Sequence, residues 1–187
     1  SEVLHLVDGM RLNNALFRNA PNQYLSLVDA YNTQQLEVLR GSAPSLYGAD
    51  AMGGVLQIVT PEPAFEGVDR QVSARVYASL NSVDQSLVTR AETAVGNERS
   101  VLSGGVTYQN ISDRKDGNGE TISPSGLTVK AANVKWRGTV GEQGELMVSA
   151  QWLEQPDTPR VDELIAGYGQ SEPASDIYAF RPNRRSF

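Results

Sequence analysis

Between Gln71 and Leu153 the sequence alternates apolar and polar residues with a period of two in five successive runs, and no other feature narrows the possible folds as much. The first run sets Val72, Ala74, Val76 and Ala78 on one face and Gln71, Ser73, Arg75, Tyr77 and Ser79 on the other. In the second, Leu87, Thr89, Ala91, Thr93 and Val95 oppose Val88, Arg90, Glu92 and Ala94. The third opposes Leu102, Gly104, Val106 and Tyr108 to Ser103, Gly105, Thr107 and Gln109, and the fourth opposes Ala132, Val134, Trp136 and Val140 to Asn133, Lys135 and Arg137. The fifth puts Leu146, Val148, Ala150 and Trp152 against Glu145, Met147, Ser149 and Gln151. Each run has on the order of ten residues, the length a tilted strand needs to cross a bilayer.

Alternation by itself fits a soluble β-sandwich as well as a membrane barrel, because both bury one strand face and wet the other. Connection lengths favour the barrel. Gly96-Asn97-Glu98-Arg99 and Gly141-Glu142-Gln143-Gly144 are tight turns, whereas a polar loop from Asp113 to Ser125 joins the third and fourth runs and a longer one is expected to begin at Pro156. Short turns at one rim and long loops at the other is the outer-membrane arrangement, although the connection near Asn81 to Gln85 is shorter than that rule expects. With 40% hydrophobic residues and no long apolar run, the chain has no transmembrane helix, so only a closed barrel would satisfy its backbone in lipid. Trp152 and Trp136 suit the two interfacial aromatic belts, and a core role suits them as well.

Upstream the grammar differs. Leu36 to Leu39 and Val55 to Thr60 are short aliphatic and β-branched runs bounded by glycine, as buried strands are. Gly41, Gly48, Gly53, Gly54, Pro44, Ser42, Ser45 and Asp50 between them supply turn chemistry, so the chain leaves one strand, makes a compact excursion and returns in another. Met10 to Tyr31 is polar and irregular, with a short helical turn expected around Ser26 to Tyr31. Thr60-Pro61-Glu62-Pro63-Ala64-Phe65-Glu66-Gly67 cannot continue a ladder and reads as a linker.

The residue order in this region resembles a known family. Glu37-Val38-Leu39-Arg40-Gly41 followed by Ser45-Leu46-Tyr47-Gly48-Ala49-Asp50-Ala51-Met52-Gly53-Gly54-Val55, with Val7-Asp8-Gly9-Met10-Arg11-Leu12 upstream, resembles the plug domain of TonB-dependent outer-membrane receptors. The family usually has proline where Ser42 stands and often asparagine where Gln57 stands. The resemblance implies a mainly β fold: the C-terminal part of an α+β plug over 1–66, then about five antiparallel strands of a transmembrane β-barrel with extracellular loops over 67–187. It implies that Arg11, Asn13, Asn14, Phe17, Arg18, Asn22 and Tyr24 lie at plug tips that meet a ligand, that Tyr168, Tyr178 and Arg181 belong to an outer ligand-capturing loop, and that Glu37 and Arg40 lock the plug to the barrel. Arg40 follows Leu36 and Val38 on one strand face, which directs its guanidinium toward packed material and calls for a carboxylate or carbonyl partner; Glu92 is a candidate.

The implied activity is energised uptake of an iron siderophore, haem or cobalamin across the bacterial outer membrane, with the TonB complex, a metal chelate or cobalamin-like ligand and outer-membrane lipid as partners and no cofactor. The alternative is a secreted β-sandwich adhesion or carbohydrate-binding module. A net charge of -6 without a basic block argues against nucleic acid. Without cysteine there is no disulfide or thiolate metal site, and His5, the single histidine, is read as structural because a metal site needs converging partners. No nucleophile, base and orienter fall together, nor does a phosphate loop follow Gly53, so catalysis is not expected. The chain starts almost inside a strand and ends without a closing element, so it reads as part of a longer polypeptide whose TonB-contacting segment would precede Ser1.

Overall fold

A computed structural model of the chain describes residues 3–12, 27–42, 44–48, 51–141, 144–159, 169, 171 and 177–186, the last stretch as backbone. The chain divides into two compact units, 1–63 and 64–186.

The first unit is built on a four-stranded sheet in the order β2-β1-β4-β3: β1 Val3–Val7, β2 Met10–Arg11, β3 Gln35–Arg40 and β4 Gly54–Val59. β1 and β4 run parallel, with Val3 opposite Gly54 and Val7 opposite Ile58, while β3 is antiparallel to β4. A parallel pair is covered on both faces, and these two strands are near-continuously apolar for that reason. Leu4, Leu6, Ala51 and Val55 form one buried cluster, and Val7, Leu12, Val28 and Ile58 form another. The β1–β2 hairpin closes through Asp8 (φ 47°) and Gly9 (φ 77°), the two left-handed residues that a tight hairpin turn requires. Between β3 and β4 a single helical turn, α1 Pro44–Tyr47, provides the compact excursion expected of the glycine-rich stretch. The turn expected around Ser26 to Tyr31 appears one step later, as a 3-10 turn over Ala30–Asn32, where Asp29 accepts from the Tyr31 amide at 3.0 Å.

The second unit is a six-stranded antiparallel meander. Its strands are β5 Gln71–Asn81, β6 Ser86–Gly96, β7 Ser100–Ile111, β10 Leu127–Val140, β11 Gly144–Pro159 and β12 Ile177–Ser186, with a small hairpin of β8 Arg114–Lys115 and β9 Thr121–Ile122 in the long connection after β7. All five alternating runs are strands of this sheet. Two features depart from the sequence expectation. β10 and β11 extend well past their alternating cores, so no loop begins at Pro156. A sixth strand, β12, then takes up residues 177–186 of the stretch expected to be an external loop, most of 160–176 lying outside the described residues. β11 and β12 pair through register shifts between Leu153 and Thr158, and such bulges accommodate the prolines that argued for a loop.

This sheet covers several polar and charged groups on one face and exposes large apolar groups on the other. Along β6 and β7 the buried or partly buried positions include Arg90, Glu92, Ser103 and Thr107, and in β10 Lys135, while the opposite face exposes Val76, Leu102, Val106, Val134 and Val148. The covered side mixes these polar groups with Val88, Ala94, Val101, Val129, Ala131 and Leu153, while the large apolar side chains of the other face are exposed.

Candidate functional site

In the first unit the end of β4 is fastened to the β1–β2 turn. The Asp8 carboxylate accepts from the Thr60 amide at 2.8 Å and from the Thr60 hydroxyl at 2.6 Å, while the Asp8 amide donates to the Ile58 carbonyl at 2.9 Å. Thr60 is fully buried, so its hydroxyl needs this acceptor. His5 on β1 is partly buried, which pushes its imidazole below its ordinary pKa and favours the neutral form.

Among the expected plug-tip residues, Arg11 lies exposed on β2 beside the turn, whereas Asn13, Asn14, Phe17, Arg18, Asn22 and Tyr24 lie outside the described residues. Glu37 and Arg40 are both on β3, the edge strand of the sheet, and both are exposed. Gln35 donates to Glu37 at 3.1 Å. The expectation that Arg40 points toward packed material is corrected here: Leu36 and Val38, which share its face, are 56% and 58% exposed. Tyr168 lies outside the described residues. Tyr178 and Arg181 belong to β12, with Tyr178 opposite Thr158, so they stand on a strand backbone rather than in a loop.

The second unit carries a polar ladder on its covered face. One register row runs Arg75, Glu92, Gly105, Asn133, Gln151 across five strands. Glu92 Oε1 accepts from Arg75 Nε at 2.7 Å and Oε2 from Arg90 Nε at 2.8 Å. Glu92 thus holds two arginines of its own sheet. Arg90 is 5% exposed; its Nη1 donates to Thr107 at 2.9 Å and its Nη2 to Asn133 Oδ1 at 3.1 Å. Since β6 and β10 are not neighbours, the guanidinium reaches Asn133 by crossing β7 over Gly105. A Cβ at Gly105 would stand 2.7 Å from Arg90 Nη2. Glycine leaves room for this crossing, and any Cβ here would require the guanidinium to shift.

Sequence reasoning did not find the Asp8–Thr60 fastening or the role of Gly105. The glycine had a readable signal, since a glycine inside an alternating strand marks a close approach of another group. Asp8 had none, because its acceptor role depends on the parallel pairing of strands separated by the whole plug sequence. Among the described residues no cluster of histidine and carboxylate groups has the makings of a metal site.

These two units define a class: a small mixed-sheet domain followed by a meander whose apolar face is turned outward. Residues 1–55 match the TonB-dependent Receptor Plug Domain family, and this plug sequence is followed by antiparallel strands of the kind seen in TonB-dependent receptor barrels. It is similar to a ferric aerobactin receptor of Klebsiella pneumoniae, with 31% identity over 115 residues, or 62% of this chain and 15% of that protein. It is also similar to the vitamin B12 transporter BtuB of Vibrio vulnificus, with 44% identity over 57 residues, or 30% of this chain and 9% of that one. The chain thus spans a minor part of the length of these relatives. Among solved structures, the copper transporter OprC superposes over 82% of this chain and 23% of its own with a TM-score of 0.65 at 20% identity. The siderophore receptor PirA from Acinetobacter baumannii covers 83% of this chain and 24% of its own, with a TM-score of 0.57 at 20% identity. At that identity the likeness speaks to the fold.

Proposed function

We propose that this chain is part of a receptor that takes up a scarce nutrient across the bacterial outer membrane in a TonB-dependent manner, with a ferric siderophore as the first candidate cargo and haem or cobalamin as the others. The observation that carries the reading is the plug match over residues 1–55. The likeness to a ferric aerobactin receptor extends over 115 residues and so into the strands, which ranks the siderophore first. Placement in the outer membrane is supported by the exposed apolar face of the meander, since Val106 on the inner strand β7 is 58% exposed and a sandwich would have buried it. In this reading Arg11 and the segment after it contribute to the ligand side of the plug, while Glu37 and Arg40 sit on an exposed edge where groups outside their sheet can pair with them. Tyr168, Tyr178 and Arg181 remain the outer ligand contacts, and the chain binds and transports rather than catalyses.

The test is uptake by the complete receptor in a bacterial host stripped of its own siderophore, haem and cobalamin receptors, with and without a working TonB. Accumulation of one labelled cargo that disappears without TonB supports the proposal. Correct insertion in the membrane with no TonB-dependent accumulation of any of the three removes it.

A further inference from the structure

At the short-turn end of the meander, one side chain holds two backbone segments together. Asn97 accepts from the Arg99 and Ser100 amides at 3.0 and 3.1 Å, closing its own turn, and its Nδ2 donates to the Val68 carbonyl at 3.0 Å. The Glu98 amide donates to the Gly67 carbonyl at 3.0 Å. The segment leading into β5 is therefore fixed beside the β6–β7 turn, and Arg70 with it. On the next strand Trp136 Nε1 donates to Ser100 Oγ at 3.0 Å, and the indole lies over Gly138, where any Cβ would collide with the ring.

These elements bound an open groove of about 350 Å³, lined chiefly by Arg70, Val95, Asn97, Ser100, Leu102 and Trp136. Its floor belongs to the apolar face: Val72, Val95, Leu102, Trp136 and Val148 are successive members of one register row. The groove has a polar end, made by a guanidinium, a carboxamide and a hydroxyl, and an apolar end that runs without a wall onto exposed Val72 and Val148. A water-soluble ligand would leave that apolar end wet. An amphiphile with an anionic head would cover it while pairing with the cation, and tryptophan beside arginine is the composition of a membrane interface.

We propose that this groove binds an anionic glycerophospholipid of the leaflet at the short-turn rim, with the phosphate at Arg70 and one acyl chain along Val95 and Leu102. The proposal rests on the outer-membrane reading given above.

The experiment uses the complete receptor in phosphatidylcholine vesicles that carry an equal fraction of either chain-brominated phosphatidylglycerol or chain-brominated phosphatidylcholine. Bromine quenches nearby indoles, and the signal of interest is the part of the fluorescence that Trp136→Phe removes. The expected result is stronger quenching by the phosphatidylglycerol, with an apparent preference of about fivefold, as one surface arginine contributes near anionic lipid. Arg70→Gln abolishes that preference and Arg70→Lys retains most of it. Equal quenching by the two lipids, or a preference that survives in Arg70→Gln, overturns the site while leaving the membrane placement intact. Loss of the preference on adding inorganic phosphate makes the groove a free-anion site and also overturns the proposal. No quenching by either lipid would remove the outer-membrane reading itself.

Discussion

Asp8 and Thr60 stand 52 residues apart, yet both carboxylate oxygens of the one are bonded to the other, to its amide at 2.8 Å and to its hydroxyl at 2.6 Å. The pair joins the hairpin turn after β1 to the last residue before the proline-rich linker, so the two ends of the parallel strand pair are tied at one point. Asp8→Ala leaves the buried Thr60 hydroxyl without this acceptor, and a loss of about 1–3 kcal/mol in the stability of the first unit is expected. Hydrogen exchange at the Thr60 amide reads this directly, and unchanged protection in the variant would show that the fastening contributes nothing.

Gly105 and Arg90 give a second prediction. Gly105→Ala places a methyl group 2.7 Å from Arg90 Nη2, which displaces the guanidinium from Thr107 and Asn133 at a cost of about 1–3 kcal/mol. In an Arg90→Met background only the 3.0 Å approach to Glu92 Cβ remains, so the alanine should cost less there. A double-mutant cycle on the denaturant midpoint tests it, and additive effects of the two changes would refute the crossing.

Two plug glycines should differ sharply. Gly54 has a φ of +140°, and a Cβ on it would lie 2.6 Å from the Leu39 carbonyl oxygen, the backbone of the adjacent strand. Gly9 has a φ of +77° with open space around it. Gly9→Ala is expected to cost only the left-handed strain of about 1–2 kcal/mol, whereas Gly54→Ala must also push β3 away from β4. Thermal melts of the two variants compare them; equal losses would mean that the contact with Leu39 relaxes without cost.

The long connection after β7 is predicted to loosen in acid. The Asp113 carboxyl is held below its ordinary value by a hydrogen bond from Ser123 first, then by the Ser125 and Gly126 amides, which reach Oδ1 at 2.8 and 2.7 Å. A depressed carboxyl pKa stabilises the folded loop fully above the ordinary carboxylate range, and that contribution is lost as pH falls through the depressed value. Proteolytic cutting within 114–124 should therefore rise only on acidification, and Asp113→Asn should show the loosened behaviour already at neutral pH. Cutting that is independent of pH and of the substitution would count against the loop being held by this carboxylate.

The strands that sequence reasoning located are those whose two faces differ. β6 alternates Leu87, Thr89, Ala91 against Val88, Arg90, Glu92, and nothing but an extended chain separates those sets cleanly. β12 escaped because Arg181-Pro182-Asn183-Arg184-Arg185 has neither alternation nor β-propensity, and it is held in the sheet by its neighbour rather than by its own composition. The plug was legible through residue order, while the environment of Arg40 was misjudged because apolar spacing along β3 does not reveal whether anything covers that face. Gly105 and Thr60 act through partners far away in sequence, and such partners become visible only when strand order and register are known.

The outward apolar face of the meander changes what a small residue means there. In a protein interior, trimming a leucine to alanine leaves a hole, and the loss of about 2–5 kcal/mol includes that hole. If the medium around Leu102 and Val134 is fluid hydrocarbon, acyl chains flow into any space left behind, and only the transfer cost of about 0.8 kcal/mol per methylene remains. Denaturant unfolding of Leu102→Ala in vesicles distinguishes the two regimes. In that medium the side chains of this face would act as a solvent-matching coat, graded by greasiness and indifferent to shape, with shape demanded on the other side, where Arg90 threads over Gly105.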